Sequence, residues 1–218
     1  MNVKVLAILV VVLSIGRLSH ACSCAPAHPQ TTFCSSDVAI RCIITSPKLT
    51  SPERDLWGNL VYFKVRQLVI IKGVNLIQEV QEVYTGSRLS CGYNPGDYFQ
   101  NREFLLFGKV HNKKNSIFLY RCSFLKLWKE LTWFQQTSIM GNYQSGCNCE
   151  ISLCMKGMCF NRTVPHECQF TDDVVPWTGP GKDPYFRPQY EGMVCRRQSN
   201  GSCGWDSRIT PVRSFEWR

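Results

Sequence analysis

Thirteen cysteines in 218 residues limit what this chain can fold into more than any other feature of its sequence. Such a density is rare in reducing compartments and typical of extracellular domains that supplement a modest hydrophobic core with cross-links. The cysteines from Cys147 to Cys159 have spacings that would also suit a zinc ion. Because an oxidising compartment favours disulfide bonds over such a site, we predict that the cysteines form disulfides and ligate no metal.

The first 21 residues have the pattern of a secretory signal peptide. Lys4 precedes an apolar run from Val5 to Ile15, and Ser19-His20-Ala21 forms a small-x-small cleavage site. A membrane anchor is the alternative, but the run is about half as long as a spanning helix. The sequence therefore predicts secretion to the extracellular space or extracellular matrix, no membrane span, and a mature chain that begins at Cys22.

Five segments between Asp37 and Cys122 have the composition and alternation of β-strands. They are Asp37–Ser46, Leu60–Ile71, Leu76–Thr85, Arg102–Val110 and Ser116–Cys122. In the clearest of them, apolar side chains alternate on one face at Val61, Phe63, Val65, Val69 and Ile71. Pro47, Pro52 and Gly58 interrupt a long first connection. An antiparallel all-β unit is the economical interpretation, and five strands favour a small closed barrel.

Two different patterns follow the last predicted strand. Apolar residues first recur at helical spacing, at Phe124, Trp128, Leu131 and Phe134. This spacing predicts a helix packed on the barrel, and Gly141 is placed to end it in a left-handed cap. Beyond Gly146, periodic apolar sequence is scarce, while cysteines stay dense at Cys149, Cys154, Cys159, Cys168, Cys195 and Cys203. We therefore predict a second domain held mainly by disulfides.

Other features suit an extracellular surface. Asn161-Arg-Thr163 and Asn200-Gly-Ser202 are sequons for N-glycosylation, with an unmodified surface asparagine as the alternative at each. The formal net charge of +9 favours anionic partners, and the cationic residues form several groups rather than one block. Sulfated glycans of the matrix are therefore candidate secondary partners, whereas no nucleic acid is expected outside the cell.

The start of the mature chain is the motif that points most directly to a function. Cleavage after Ala21 leaves Cys-Ser-Cys-Ala-Pro-Ala-His-Pro-Gln at residues 22–30. This motif resembles the amino terminus of the tissue inhibitors of metalloproteinases, the TIMP family. The likeness continues over nearly the whole mature chain, through Asp37-Val-Ala-Ile-Arg41, Ser90-Cys-Gly-Tyr93, Gly146-Cys-Asn-Cys149 and Gly201-Ser-Cys-Gly-Trp205. The resemblance implies a secreted protein inhibitor of zinc metalloproteinases.

The resemblance also implies a domain organisation that fits the predicted strands. After the signal peptide at residues 1–21, residues 22–147 would form a netrin-like inhibitory domain. Its fold would be an OB-fold-like five-stranded barrel with packed helices. Residues 148–218 would form a small disulfide-rich β domain at the C-terminus. The chain is thus expected to be mainly β, and to act as a monomer that forms one-to-one complexes.

The chemistry of the new amino terminus supports the same function. A terminal α-amine has a pKa of about 7.7 to 8.0, so at neutral pH it can offer a nitrogen lone pair at small cost. The amine and the carbonyl of Cys22 can together chelate the catalytic zinc of a target protease. They would fill the position that this zinc keeps open for its hydrolytic water. The inhibitor itself would need no cofactor, because the zinc belongs to the target.

The resemblance assigns roles to two short segments. Cys22, Ser23, Cys24, Ala25 and Pro26 would enter the protease cleft as a rigid wedge. The Ser23 side chain would point into the main specificity pocket beneath the zinc. Arg88, Leu89 and Ser90 would occupy the cleft on the other side of the metal, and Ser35 would touch its rim. Matrix metalloproteinases are the expected targets, with disintegrin-type metalloproteinases as further candidates.

A disulfide pattern also follows from the resemblance and not from spacing alone. The implied bridges are Cys22–Cys91, Cys24–Cys122, Cys34–Cys147, Cys149–Cys203, Cys154–Cys159 and Cys168–Cys195. Bridges at the first and third mature residues would hold the inhibitory terminus in place. Cys42 is left unpaired. It shares a predicted strand face with Val38, Ile40 and Ile44, which favours a buried, inert thiol over an intermolecular disulfide.

Two other classes of function compete with protease inhibition. An enzyme is not expected, because the sequence has neither H-E-x-x-H nor G-x-S-x-G, and its histidines are isolated. His28 is instead expected to hold a turn against Pro29. An extracellular-matrix binding or signalling module without protease inhibition is the alternative, since related barrels occur in netrins. The free amine of Cys22 distinguishes the two, because such modules need no free terminus.

Overall fold

The structure is a computed structural model, and it describes residues 24–25, 27–55, 58–86, 92–93, 99–154, 164–171 and 193–207. The strands are β1 (Val38–Ile44), β2 (Leu49–Asp55), β3 (Gly58–Lys72), β4 (Glu82–Thr85), β5 (Glu103–Val110), β6 (Ser116–Leu119), β7 (Leu125–Leu127), β8 (Glu150–Cys154), β9 (Glu167–Thr171), β10 (Val194–Arg197) and β11 (Cys203–Asp206). The helical elements are α1 (Pro29–Ser35), a 3₁₀ turn (Trp128–Glu130), α2 (Trp133–Thr137), a π-helical turn (Ser138–Asn142) and a second 3₁₀ turn (Gln144–Gly146). The chain is mainly β, as the sequence predicts.

Five of these strands close into a barrel, which confirms the predicted architecture. Strand β1 pairs with both β3 and β5, so the circuit runs β1-β3-β4-β6-β5 and back to β1. Strands β4 and β6 are parallel, with Glu82 opposite Ser116 and Thr85 opposite Leu119. The expected all-antiparallel unit is wrong at this pairing, because the chain crosses the barrel from β4 to β5 before the hairpin to β6 returns. The strand order is that of the Greek-key barrel of an OB-fold.

Apolar side chains from all five strands fill the barrel interior. Its buried members include Val38, Ile40, Cys42, Ile44, Phe63, Val65, Val83, Phe104, Leu106, Ile117 and Leu119. The pairing of β1 with β3 shifts register twice, first between Ala39 and Ile40. The extra residue in β3 at each shift changes which side chains face inward. Ile70 therefore packs on the interior, whereas Ile71 packs outside the barrel, so the prediction that Ile71 shares the face of Phe63 is wrong.

Two strand predictions also differ from the structure. The predicted strand 76–85 is regular only over β4, because a turn begins at Gly73, whose φ is +86°. The Gly73 carbonyl accepts the N–H groups of Leu76 and Ile77 at 2.9 and 3.1 Å. The long first connection contains β2, which pairs with the start of β3. Pro52 lies where the register of β2 shifts, a place at which a proline is tolerated.

The single helix predicted after the last strand is divided into short elements. Strand β7, which pairs with β5, comes first, and a 3₁₀ turn separates it from α2. A capping box starts α2, because Thr132 and Gln135 each accept the other's backbone N–H. Gly141 lies inside the π-helical turn without a positive φ, so the predicted left-handed cap is wrong. Phe124 still packs on the outside of the barrel, with its ring 4.6 Å from that of Phe107.

The described residues from 149 onward, here called the C-terminal region, form two small sheets. Strand β8 is parallel to β9, and β10 is antiparallel to β11. Buried cysteines lie at the centre of this region, at Cys149, Cys168 and Cys195. The indole N–H of Trp205 in β11 donates to the carbonyl of Gln169 in β9 at 2.9 Å, which links the two sheets. Residues 24–148 that the structure describes are called the barrel region below.

Candidate functional site

Of the residues expected to contact a target, the structure describes Cys24, Ala25 and Ser35. The signal peptide, Cys22, Ser23, Pro26, Arg88, Leu89, Ser90, Cys91, Cys159 and the sequon at Asn161 lie outside the described residues. Ser35 is exposed near the end of α1, and its hydroxyl donates to the carbonyl of Thr32 at 3.2 Å. The described part of the site therefore consists of anchor residues beside the two expected contact segments, residues 22–26 and 88–90.

The first anchor is the disulfide between Cys24 and Cys122, which joins the N-terminal segment to the chain just after β6. Cys24 and Ala25 are both exposed. The turn that carries Cys122 is fixed on either side. The N–H of Tyr120 donates to the Ser123 hydroxyl at 3.0 Å, and the N–H of Ser123 donates to the Tyr120 carbonyl at 2.9 Å. The third mature residue is thus attached to a defined place at the end of the barrel.

A buried histidine leads the N-terminal segment into α1. His28 is the N-cap: its Nδ1 accepts the N–H of Gln30 at 3.2 Å, and Pro29 occupies the first helical turn. The imidazole is fully buried. Its ring faces those of Tyr143, Phe170 and Trp205, at centroid distances of 6.0, 5.6 and 5.1 Å. His28 therefore holds the turn against Pro29, as predicted, and also contacts the C-terminal region.

The other end of α1 is held by a disulfide and by a lysine. Cys34 is bridged to Cys147, with their Cα atoms 5.3 Å apart. The ammonium group of Lys72 in β3 donates to the carbonyl oxygens of Phe33, Cys34 and Ser36, at 2.7, 2.9 and 2.7 Å. A helix end leaves such carbonyls unpaired, and a cation there is also favoured by the helix dipole. Burial lowers the pKa of Lys72; nearby Lys109 lowers it further and Asp37 raises it.

A second segment is anchored beside the first. Gly92 forms an isolated antiparallel bridge with Tyr120, two residues before Cys122. It also packs directly on Gly86, since a Cβ atom at Gly92 would overlap the Gly86 carbonyl. Gly86 and Gly92, which flank residues 87–91 in the sequence, therefore lie against each other at the end of β4. Because Cys24 is bonded to Cys122, the two described anchors, Cys24 and Gly92, lie at one edge of the barrel.

The disulfides agree with the implied pattern wherever both partners are described. These bridges are Cys24–Cys122, Cys34–Cys147, Cys149–Cys203 and Cys168–Cys195. Cys154 is also disulfide-bonded, while its expected partner Cys159 lies outside the described part of the chain. Cys42 is a free thiol inside the barrel, as predicted. Burial raises the pKa of Cys42 to about 12, which keeps the thiol protonated and unreactive at neutral pH.

One series of side chains has the composition of a catalytic triad without its accessibility. Ser116 Oγ lies 3.3 Å from His111 Nδ1, and His111 Nε2 lies 3.7 Å from a Glu53 oxygen. Ser116 is fully buried, however, and its hydroxyl donates to the carbonyl of Lys113 at 2.6 Å, so it is not an available nucleophile. Across the described ranges, no cluster of His, Cys, Asp or Glu is suited to hold a metal ion. No helix within them has the length and apolar character needed to cross a membrane.

Several contacts that hold the site have no signal in the sequence. The Gln30 amide pairs with the backbone of Cys195: its Nε2 donates to the carbonyl at 2.6 Å, and its Oε1 accepts the N–H at 2.9 Å. The N–H of Tyr93 donates to the hydroxyl of Thr85 at 2.7 Å. Partners 165 residues apart, as in the Gln30 contact, leave no local pattern that sequence reasoning can detect.

Comparisons with known proteins agree with this geometry over both regions. A family model described as tissue inhibitor of metalloproteinase matches residues 20–205. Metalloproteinase inhibitor 2 of Canis lupus familiaris is 32% identical over 210 residues, covering 94% of this chain and 90% of that protein. Metalloproteinase inhibitor 4 of Mus musculus is 31% identical over 193 residues, covering 87% and 82%. Metalloproteinase inhibitor 3 of Scyliorhinus torazame is 31% identical over 200 residues, covering 91% and 87%.

Proposed function

This chain belongs to the tissue inhibitor of metalloproteinase family, and on that premise we propose that it is a secreted inhibitor of zinc metalloproteinases. As a member of a family of inhibitors it is not an enzyme. Its proposed targets are matrix metalloproteinases, with disintegrin-type metalloproteinases as further candidates. Each target is bound one to one by a monomer. The protein uses no cofactor of its own, because the zinc that it contacts belongs to the target.

The proposed inhibitory group is the amino terminus exposed by cleavage after Ala21. Its amine nitrogen and the Cys22 carbonyl oxygen close a five-membered chelate on the catalytic zinc. The chelate displaces the water that the zinc activates for hydrolysis. A terminal amine suits this role because it loses its proton near neutral pH at small cost. Inhibition therefore depends on the free amine and not on the side chain of Cys22.

The position of two anchors, Cys24 and Gly92, at one edge of the barrel is the observation that carries this proposal. A flexible terminus would lose about 1 to 2 kcal/mol for every residue that binding orders. Cys24 is already fixed by its bridge to Cys122, and Gly92 by its pairing with Tyr120. The expected Cys22–Cys91 bridge would then join the two segments directly. Little ordering is left for the moment of binding, so the chelating atoms meet the zinc at low entropic cost.

The residues beside the terminus give the proposed complex its contacts. Ser23 enters the main specificity pocket, and its small hydroxyl permits broad selectivity. The chain stiffened by Pro26 lies along the cleft on the same side. Arg88, Leu89 and Ser90 occupy the cleft beyond the metal. Ser35, exposed at the end of α1, touches the rim.

Glycosylation and matrix association are secondary parts of the proposal. Asn200 is exposed in the turn between β10 and β11, a surface position that suits a glycosylation site. Asn161 is proposed as a second site on its sequon alone. Sulfated glycans are proposed as weak partners of the groups of cationic residues, and salt would screen this interaction. Association with the matrix would then coexist with inhibition.

The decisive experiment compares inhibition of a metalloproteinase catalytic domain by three forms of the mature protein. One begins at Cys22, one has an extra alanine before Cys22, and one has an extra alanine after Arg218. The first extension turns the amine into an amide without a lone pair for zinc, and the second is a control of equal composition. We expect the N-terminal extension to weaken inhibition by orders of magnitude, and the C-terminal one to leave it unchanged.

Two other results would revise the proposal. Equal inhibition by all three forms would keep the inhibitor and discard the Cys22 mechanism. No inhibition by any form would favour a matrix-binding or signalling module instead.

A further inference from the structure

The hydroxyl of Thr85 occupies an unusual place at the end of β4. Thr85 is 1% exposed and lines a cavity of about 10 Å³ at this end of the barrel. Apart from Tyr93, the other lining residues are apolar: Ile44, Phe63, Val83, Leu106, Leu119 and Leu125. A hydroxyl buried among apolar side chains is costly unless it is hydrogen-bonded. Here it accepts the N–H of Tyr93 at 2.7 Å, so its polar partner is the backbone of the second anchored segment.

That hydrogen bond completes the fixation of a short piece of chain, Gly92 and Tyr93. Gly92 pairs with Tyr120 on one side and packs against Gly86 on another. The Thr85 hydroxyl holds the next residue, Tyr93, by accepting its backbone N–H. These contacts attach the piece to the ends of β4 and β6 at once. Cys91 is the residue immediately before it in the sequence.

We propose that Thr85 is a positioning residue for inhibition. By fixing the backbone of Tyr93, its hydroxyl determines where the expected Cys22–Cys91 bridge holds the zinc-chelating terminus. This inference rests on the proposed function, in which Cys22 is bridged to Cys91 and chelates through its amine. Chelation is sensitive to displacements of about 1 Å, because both ligand atoms must keep their distance to the metal. Thr85 touches no part of the target, and its effect passes through the backbone of Tyr93.

Three variants separate the effect of the Thr85 hydroxyl on inhibition from the effect of side-chain packing. Thr85→Val keeps the shape of the side chain in its apolar surroundings but leaves the Tyr93 N–H without its acceptor. Thr85→Ser keeps the hydroxyl. Ser116→Ala is the matched control, because it removes another fully buried hydroxyl, at the opposite end of the paired strands β4 and β6. Ser116 lies away from both anchored segments, so this control measures loss of stability alone.

The experiment measures the inhibition constant of the full mature chain against a metalloproteinase catalytic domain, for each variant. We expect Thr85→Val to inhibit about tenfold more weakly, because binding must then order the chain at Tyr93 that the hydrogen bond holds in the wild type, with most of the effect in faster dissociation. We expect Thr85→Ser to stay within about threefold of the wild type, and Ser116→Ala to match it. Hydrogen exchange of the Tyr93 amide should accelerate in Thr85→Val only.

A double-mutant cycle with the alanine extension before Cys22 tests the route of the effect. Once the chelating amine is blocked, Thr85→Val should cause no further loss, because the variant acts through that amine. If Thr85→Val inhibits like the wild type, weakens no more than Ser116→Ala, or weakens the extended protein equally, the inference is overturned. Failure of the proposed function is seen separately, as equal inhibition by cleaved and extended wild-type protein, and it would overturn both.

Discussion

The barrel region and the C-terminal region are held together by different means. In the barrel, a closed sheet surrounds its own core: Phe104 and Leu106 of β5 face into it, and Leu105 and Phe107 pack on its outer face, each at most 1% exposed. In the C-terminal region, four of the six buried apolar side chains that the structure describes belong to cysteines: Cys149, Cys154, Cys168 and Cys195. Two-stranded sheets cannot enclose a core, so cross-links take its place. The same covalent bond therefore has a different task in each region.

In the barrel region the disulfides fix the positions of the N-terminal segment and α1, and they do little to hold the barrel strands together. Cys24–Cys122 and Cys34–Cys147 both attach the N-terminal segment and α1, which lie outside the closed sheet. The core residues of the five strands pack without any bridge between those strands in the described part of the barrel. We therefore expect bridge removal to loosen the segment that presents the inhibitory terminus, while the barrel itself stays folded.

The largest effect should come from the barrel core. Phe104→Ala removes a fully buried ring from β5 and should lower the free energy of unfolding by about 4 kcal/mol. Trp133→Ala, at a side chain that is 66% exposed, is the control and should change it by less than about 0.5 kcal/mol. Urea unfolding followed by fluorescence and circular dichroism would give both values. A small loss for Phe104→Ala would mean that disulfides, and not packing, hold the barrel.

An intermediate effect is expected from removing the Cys168–Cys195 bridge by replacing both residues with alanine. The loss should be about 3 kcal/mol, and it should appear in the C-terminal region alone. Hydrogen exchange resolved by residue would show faster exchange in β8 to β11 and unchanged protection in β1 and β5. The matched control removes Cys24–Cys122, which should leave the barrel protected and weaken inhibition. Equal acceleration in both regions would show that they form one cooperative unit.

The smallest effect concerns the free thiol inside the barrel. Burial raises the pKa of Cys42 from 9.0 to about 12, so between these values the folded state binds more protons than the unfolded chain. The contribution of Cys42 to stability is thus complete below pH 9 and falls as the pH rises toward 12. Relative to Cys42→Val, the wild type should lose about 1 kcal/mol near pH 10.

Urea unfolding of both proteins at about pH 7 and about pH 10 would measure that difference. Rapid alkylation of Cys42 in the native protein would contradict the closed core on which the comparison of the two regions depends. Slow alkylation, accelerated only by denaturant, would support it.

Whether the sequence predicts a feature depends on how far apart in the chain the interacting residues lie. Composition and alternation together identified the five barrel strands, because one face of each is buried in the interior. It did not reveal the parallel pairing of β4 with β6, which depends on where the chain crosses the barrel. The helical spacing of Phe124 and Trp128 arose from packing on the barrel, with β7 between them. In the site, the motif located Cys24, but the roles of Gln30 and Thr85 depend on partners distant in sequence.

The contact of Gln30 with the backbone of Cys195 has a consequence for how the two regions can be exchanged. An amide that pairs with a main-chain N–H and C=O recognises a strand and not a side chain, so any residue except proline offers it the same partners. For this contact the side chain at position 195 does not matter, whereas that of Gln30 does. A chimera that grafts the C-terminal half of another family member onto this barrel should keep the Gln30 contact, and its docking then depends on the aromatic side chains that meet His28.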